Sequence, residues 1–221
     1  MSSFKNWTRD KLNERFGLKR KYDQDNLLEW LQTKIEIDAT EMTILLRLNK
    51  KMRKYIDYWN EEEVKLKFIG HIITLADYDT DSLSAFANRY FEGVVDGELL
   101  SGTPDFMVAR GKQEIKSPFF FLHEYKKEAP YPPQGEIAED PLGQLLAAML
   151  LAYEHNLQVP ELSQKPVYGA YVVGRQWFFV ILQDREYSIS DSYSSTHEDE
   201  LLDIFRIMKA SREKIREIWG E

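Results

Sequence analysis

Residues 102–128 read Gly102-Thr-Pro-Asp-Phe-Met-Val-Ala-Arg-Gly-Lys-Gln-Glu-Ile-Lys-Ser-Pro-Phe-Phe-Phe-Leu-His-Glu-Tyr-Lys-Lys-Glu128. Two apolar runs, Pro104 to Ala109 and Phe119 to Lys126, predict two strands around the connector Gly111 to Pro118. Each carries charge where a buried strand should carry none: Asp105 directly after Pro104, and Glu124 and Lys126 after the run Phe119 to Leu122. Side chains alternate along a strand, so Glu124 and Lys126 share one face while His123 and Tyr125 take the other. A buried carboxylate is costly unless it is paired or holds a metal. Paired as a hairpin, the two strands bring the charged ends together. Two carboxylates at one sheet end form a hard oxygen site suited to Mg²⁺ or Mn²⁺. A neighbouring lysine supplies a cation for water or phosphate, and these are the tools of phosphodiester hydrolysis. The competing reading makes Asp105 a turn cap and Glu124 with Lys126 a solvated surface pair.

Upstream, the pattern predicts helices over Asp25 to Ile37, Thr40 to Trp59 and Asn60 to about Ala76. The second carries an apolar stripe of Ile44, Leu45, Leu48, Met52 and Tyr55. Asn60 and Glu63 have capping-box spacing at the start of the third, whose inner face is Val64, Phe68, Ile72 and Leu75. Asp96-Gly97 predicts a hairpin turn between strands Phe91–Val95 and Glu98–Leu100. Downstream, a proline-rich and acidic stretch (Pro130, Pro132, Pro133, Gly135) is a candidate flap. Asp140-Pro141 predicts an N-cap and first turn for a helix through Gln144 to about His155. Strands Val167–Val173 and Trp177–Leu182 follow, then a short Tyr187–Ile189 extension and a closing helix, Glu198–Trp219. This order predicts an α/β protein with a mixed sheet.

At 221 residues the chain is long enough for one domain: a helical elaboration over 1–59, a core over 60–190 and the closing helix within 197–221. It has no cysteine, which excludes disulfides, thiolate catalysis and Cys-based zinc sites. No run approaches the ~18 apolar residues that span a bilayer, and the first residues lack a secretory signal, so a cytoplasmic protein without membrane contact is expected. Net charge is 29 − 37 = −8, against indiscriminate binding of phosphate backbones. Residues 47–54 nevertheless hold five basic residues and no acid. Arg47, Lys51 and Lys54, with Arg175 at the Gly174-Arg175 turn, are candidate nucleic-acid contacts; the plainer reading is a solvated face.

The pattern Pro104-Asp105, Glu124-Tyr125-Lys126, then a helix bearing Gln144, resembles the PD-(D/E)XK nuclease superfamily and its restriction-endonuclease-like fold. The resemblance covers roughly residues 60–183. The stretches Trp59-Asn60-Glu61, Phe68-Ile69, Gly143-Gln144-Leu145-Leu146-Ala147 and Tyr168-Gly169-Ala170-Tyr171 resemble an uncharacterised bacterial branch of it. It implies a restriction-endonuclease-like mixed β-sheet flanked by helices, with an N-terminal helical elaboration. It also implies hydrolysis of nucleic acid, with DNA as the expected substrate. Asp105 and Glu124 would bind Mg²⁺ or Mn²⁺ with the Tyr125 backbone carbonyl, Lys126 would act on the attacking water, and Gln144 would orient water or the scissile phosphate. An acidic residue on the preceding helix falls in the run Glu61-Glu62-Glu63; Glu61 is preferred, Glu62 is next, and Glu63 serves as cap partner. Double-strand cleavage with one site per chain calls for a homodimer. The rival expectation is a catalytically inactive nuclease-fold module for binding or assembly.

Overall fold

The computed structural model describes residues 2–22, 25–126 and 140–219; the stretch 130–135 expected to form a flap lies outside them. In chain order the elements are β1 (Ser2–Ser3), a 3-10 turn (Phe4–Asn6), α1 (Arg9–Phe16), β2 (Lys19–Arg20), α2 (Asp25–Leu31), α3 (Ala39–Tyr55) and α4 (Glu61–Val64). A π-helical turn (Lys65–Ile69) runs from α4 into α5 (Gly70–Ala76), so 61–76 is one continuous helix. Then come β3 (Leu83–Ala87), β4 (Phe91–Val95), β5 (Glu98–Gly102), β6 (Phe106–Arg110) and β7 (Lys116–Lys126). The chain ends with α6 (Pro141–Asn156), β8 (Val167–Val173), β9 (Gln176–Gln183), β10 (Glu186–Ile189), β11 (Tyr193–Ser194) and α7 (Glu198–Trp219).

The main sheet has the order β2-β10-β9-β8-β7-β6-β3, with β11 added beside β9. Strands β3, β6 and β7 form an antiparallel meander, β8 lies parallel to β7, and β9 runs antiparallel to β8. A parallel pair needs a crossover, and α6 supplies it. Both faces of the sheet are covered, as the alternation of apolar side chains requires. Phe106, Val108, Tyr168, Ala170 and Val172 pack under the layer of α2, α3, the 61–76 helix and α7. Met107, Ala109, Val167 and Tyr171 pack under α6, α1 and a small second sheet, β1-β5-β4. The protein is thus a mixed α/β sandwich to which the first 59 residues contribute on both sides. Among the described residues no helix is long and apolar enough to cross a membrane.

Several expectations change in the folded chain. The helix expected over Asp25 to Ile37 stops at Leu31. Beyond it Thr33, Ile35 and Ile37 are β-branched, and burial alternates from Leu31 to Ile37, the signature of extended chain. α3 starts one residue earlier than expected because Asp38 caps it: Asp38 Oδ1 accepts from the backbone N–H of Thr40 and Glu41 at 2.7 and 2.8 Å. Tyr55 leaves the inner stripe and is 38 % exposed, stacked at 5.7 Å on Trp59, which takes the buried place. The Asp96-Gly97 hairpin forms, with both residues at positive φ (48° and 78°), yet it belongs to the small sheet. The outer neighbour of β6 is β3, a strand absent from the sequence reading. Its interior Ser84 and Ala85 are weak strand formers, and that hid it.

Asp140 precedes α6 as expected, but its carboxylate does not cap that helix. It accepts from the backbone N–H of Arg9 at 3.1 Å and from Arg9 Nε at 2.9 Å, clamping the start of α1 to the start of α6. A second clasp lies at the other end of α1. Asp184 and Arg185, at φ 51° and 59°, make the tight β9–β10 turn. From it the Arg185 guanidinium reaches Asp96 at 2.5 and 3.0 Å, Glu154 at 2.7 Å and the carbonyl of Phe16 at 3.2 Å.

Candidate functional site

Asn60 begins the 61–76 helix through a complete capping box: Asn60 Oδ1 accepts from Glu63 N–H at 2.9 Å, and Glu63 Oε2 from Asn60 N–H at 3.1 Å. The cap places Glu61 in the first turn and Lys65 four residues later on the same face. Lys65 Nζ donates to Glu61 Oε1 at 2.8 Å and to Asp105 Oδ1 at 3.0 Å, with Glu62 Oε1 at 3.5 Å. Two of the acids expected at the site therefore meet across 40 residues of intervening chain from Lys65 to Asp105, joined by an ammonium that the sequence reading missed. Glu63 is committed to the cap and Glu62 is 82 % exposed, so within the acidic run Glu61 is the one drawn to Asp105.

Lys65 also opens the π-turn. Its carbonyl accepts from Gly70 N–H, and a Cβ on Gly70 would stand 3.2 Å from that oxygen, so glycine suits the wider turn. Single π-turns recur at functional sites. Around this turn Val64, Phe68, Ile69 and Ile72 are all buried while Glu61 and Lys65 are half-buried.

Asp105 immediately precedes β6, and the antiparallel pair Phe106–Leu122 sets it at the same end of the sheet as Glu124 and Lys126 of β7. The register between β7 and β8 shifts between His123 and Tyr125, so Glu124 has no partner of its own on β8. This irregularity is a bulge in the backbone; the side chains of Glu124 and Lys126, and with them the expectation that they share a face, lie outside the described ones. Such bulges are frequent beside active sites, where they re-aim a side chain. Beside Glu61, Lys65 and Asp105 opens a cleft of about 580 Å³, also lined by Lys5, Asn88 and Tyr90.

Lys65 offsets one charge of the three carboxylates around it, and its side chain is only 23 % exposed. Burial alone would lower the Lys65 ammonium, but the hydrogen bonds to Glu61 and Asp105 outweigh it and the net is a rise, so Lys65 stays charged. Among the described residues no group of three or more His, Asp or Glu is arranged to hold a metal ion. Glu61 and Asp105 supply two carboxylates converging on one cation, an oxygen-only donor set that fits a hard divalent ion and not a soft one.

Gln144 lies in the first turns of α6, which is buried on all sides. It is itself fully buried, and neither Nε2 nor Oε1 has a hydrogen-bond partner among the described residues. Gly143 beside it presses on the chain at Trp7 and Thr8, while Leu145 and Met149 pack on Gly169 of β8.

Of the candidate nucleic-acid contacts, Arg175 follows Val173, the β8 partner of Lys126, and so stands at the same end of the sheet as Glu124 and Lys126. Arg47, Lys51 and Lys54 are exposed on α3, and Lys54 Nζ stands 5.0 Å from the Tyr55 ring. Arg175 pairs with Asp57 at 2.9 Å and lines a separate cleft of about 440 Å³ with Arg53, Thr196, His197 and Glu198. Arg53 was not among the expected contacts. In this chain the signal for Lys65 was its spacing of four from Glu61, and that for Arg53 its membership of the basic run. No protein-family model matches the chain, and no curated protein matches it.

Proposed function

We propose that the protein is a divalent-metal-dependent nuclease with a restriction-endonuclease-like core, acting on nucleic acid, with DNA as the expected substrate. The observation that carries this reading is the convergence of Glu61 and Asp105 within 3.0 Å of one ammonium at the mouth of a polar cleft. The sheet is compatible with it: an antiparallel meander β3-β6-β7, a crossover helix and a parallel β8 make a mixed sheet flanked by helices, which is what the resemblance implies. The sheet end shared by Asp105, Glu124 and Lys126 supports it further.

A divalent ion bound there would polarise the scissile phosphate and lower the pKa of the attacking water. Glu61, Asp105 and Glu124, with the Tyr125 carbonyl, are the residues assigned to hold it. Lys126 holds the water, and Gln144, whose buried carboxamide has no partner among the described residues, orients water or a phosphate oxygen. Arg47, Lys51, Lys54 and Arg175 are assigned to the nucleic-acid backbone, and two copies would be needed to cut both strands. One observation favours the inactive binding or assembly module: Lys65 neutralises part of the carboxylate cluster.

The test is nicking of supercoiled plasmid in Mg²⁺ or Mn²⁺ by the wild type and by Asp105→Ala and Lys126→Ala. Removing a group that stabilises developing charge costs ~10²–10³ in rate, so both variants should lose nicking while keeping the wild-type circular dichroism spectrum. Equal nicking by all three would overturn the enzymatic reading.

A further inference from the structure

Lys65 is not assigned a role by the motif, yet it occupies the point where the two carboxylates meet. Its Nζ touches Glu61 Oε1 and Asp105 Oδ1 at 2.8 and 3.0 Å, linking the first turn of the 61–76 helix to the start of β6. A hard divalent cation takes carboxylate oxygens at roughly 2.0–2.6 Å, so it and the ammonium compete for the same two groups. The structure also offers Lys65 somewhere to go. Glu62 Oε1 stands 3.5 Å from Nζ, and the Glu62 side chain is 82 % exposed and outside the Glu61–Asp105 pair. Four rotatable bonds let the ammonium swing to it without moving the helix.

We propose that Lys65 is a built-in counter-cation of the Glu61–Asp105 pair, which holds the two carboxylates together in the metal-free protein and must leave Asp105 before a divalent ion binds. The proposal rests on the metal-dependent reading above and adds a consequence to it. The acids are pre-assembled without metal, so the apo protein folds, and metal affinity is held down by the ion pair that has to be broken. Lys65 is on this account a positioning residue and not a catalytic one.

The test measures Mn²⁺ affinity by isothermal titration calorimetry on the metal-free full chain: wild type, Lys65→Met, and Lys65→Gln, which keeps an N–H donor for the carboxylates. Lys5→Met is the control, because Lys5 lines the same cleft without touching the pair. Removing a nearby but non-competing charge should tighten binding by about fivefold or less. Removing the competitor should tighten it about tenfold or more in both Lys65 variants. Mn²⁺ should also raise the melting temperature of Lys65→Met more than that of the wild type. Wild-type binding left unchanged or weakened by both Lys65 variants, or tightened no more than by Lys5→Met, overturns the counter-cation and leaves the metal reading standing. Absence of Mn²⁺ uptake in folded wild type and both variants overturns the two together. If Lys65→Met does not fold, Lys65→Gln decides the matter.

Discussion

Replacing Gly143 by alanine sets two large effects against each other, and the structure says which wins. In an open helix the change stabilises by about 1 kcal/mol, because glycine loses more backbone freedom on folding. At Gly143 a Cβ would stand 2.6 Å from the Trp7 carbonyl oxygen, 2.8 Å from Thr8 Cα and 3.0 Å from Asp140 Oδ2. The two closest atoms are backbone, and they cannot rotate away. The segment that carries them is anchored twice, by the buried Trp7 ring 5.1 Å from Phe16 and by Arg9 held on Asp140. Overpacking a fixed site costs about 1–3 kcal/mol. With two rigid contacts the upper part of that range applies, so the net is a destabilisation of about 2 kcal/mol once the helix gain is subtracted. For a chain of this size that lowers the melting temperature by about 4–8 °C. Thermal melts followed at 222 nm, with urea midpoints, measure it. Gly70→Ala is the internal control: its Cβ meets only the Lys65 carbonyl at 3.2 Å, so gain and contact should nearly cancel. A Gly143→Ala protein as stable as the wild type, or more so, would refute the close docking of Trp7 and Thr8 on α6.

Gln144→Leu should separate stability from function. A fully buried carboxamide that stays without partners, as Gln144 is among the described residues, costs about 1–3 kcal/mol, so the leucine variant should melt a few degrees higher while plasmid nicking falls; a lower melting point would mean that the carboxamide is satisfied in the folded protein. The Arg185 hydrogen bond holds the Asp96 carboxyl below its ordinary value of 3.8, so the stability from this pair is present above that value and is lost as pH falls through the depressed one. The difference in urea midpoint between wild type and Asp96→Asn should be present at pH 7 and shrink as pH falls below 3.8; a difference that does not shrink would show that the ion pair is not its source.

What could be read from the chain was local. The Asn60–Glu63 cap, the Asp96-Gly97 turn, β8 and α7 act through contacts within a turn or through one repeating period, and their positions agree with the pattern. α2 was overextended because Ile35 and Ile37 satisfy a helical period and an alternating one equally well. Of the candidate site, Glu61 and Asp105 were legible as acids beside predicted element ends. Lys65 was not, because a lysine four residues after a glutamate reads first as an ordinary helix pair. Only the approach of Asp105 to the same ammonium sets it apart.

The sequence by itself determined most helices and strands, though not α1, and the Asn60–Glu63 cap with the acids beside it, since each depends on neighbours a few residues away. The tertiary structure alone decided that the 91–102 hairpin belongs to the small sheet and that β3 is the outer neighbour of β6. It alone brought Glu61 and Asp105 onto one lysine, and set Arg175 against Asp57. Those outcomes depend on which apolar faces cover one another across the sandwich. That is a property of the whole packed chain, and no single stretch of it carries the information.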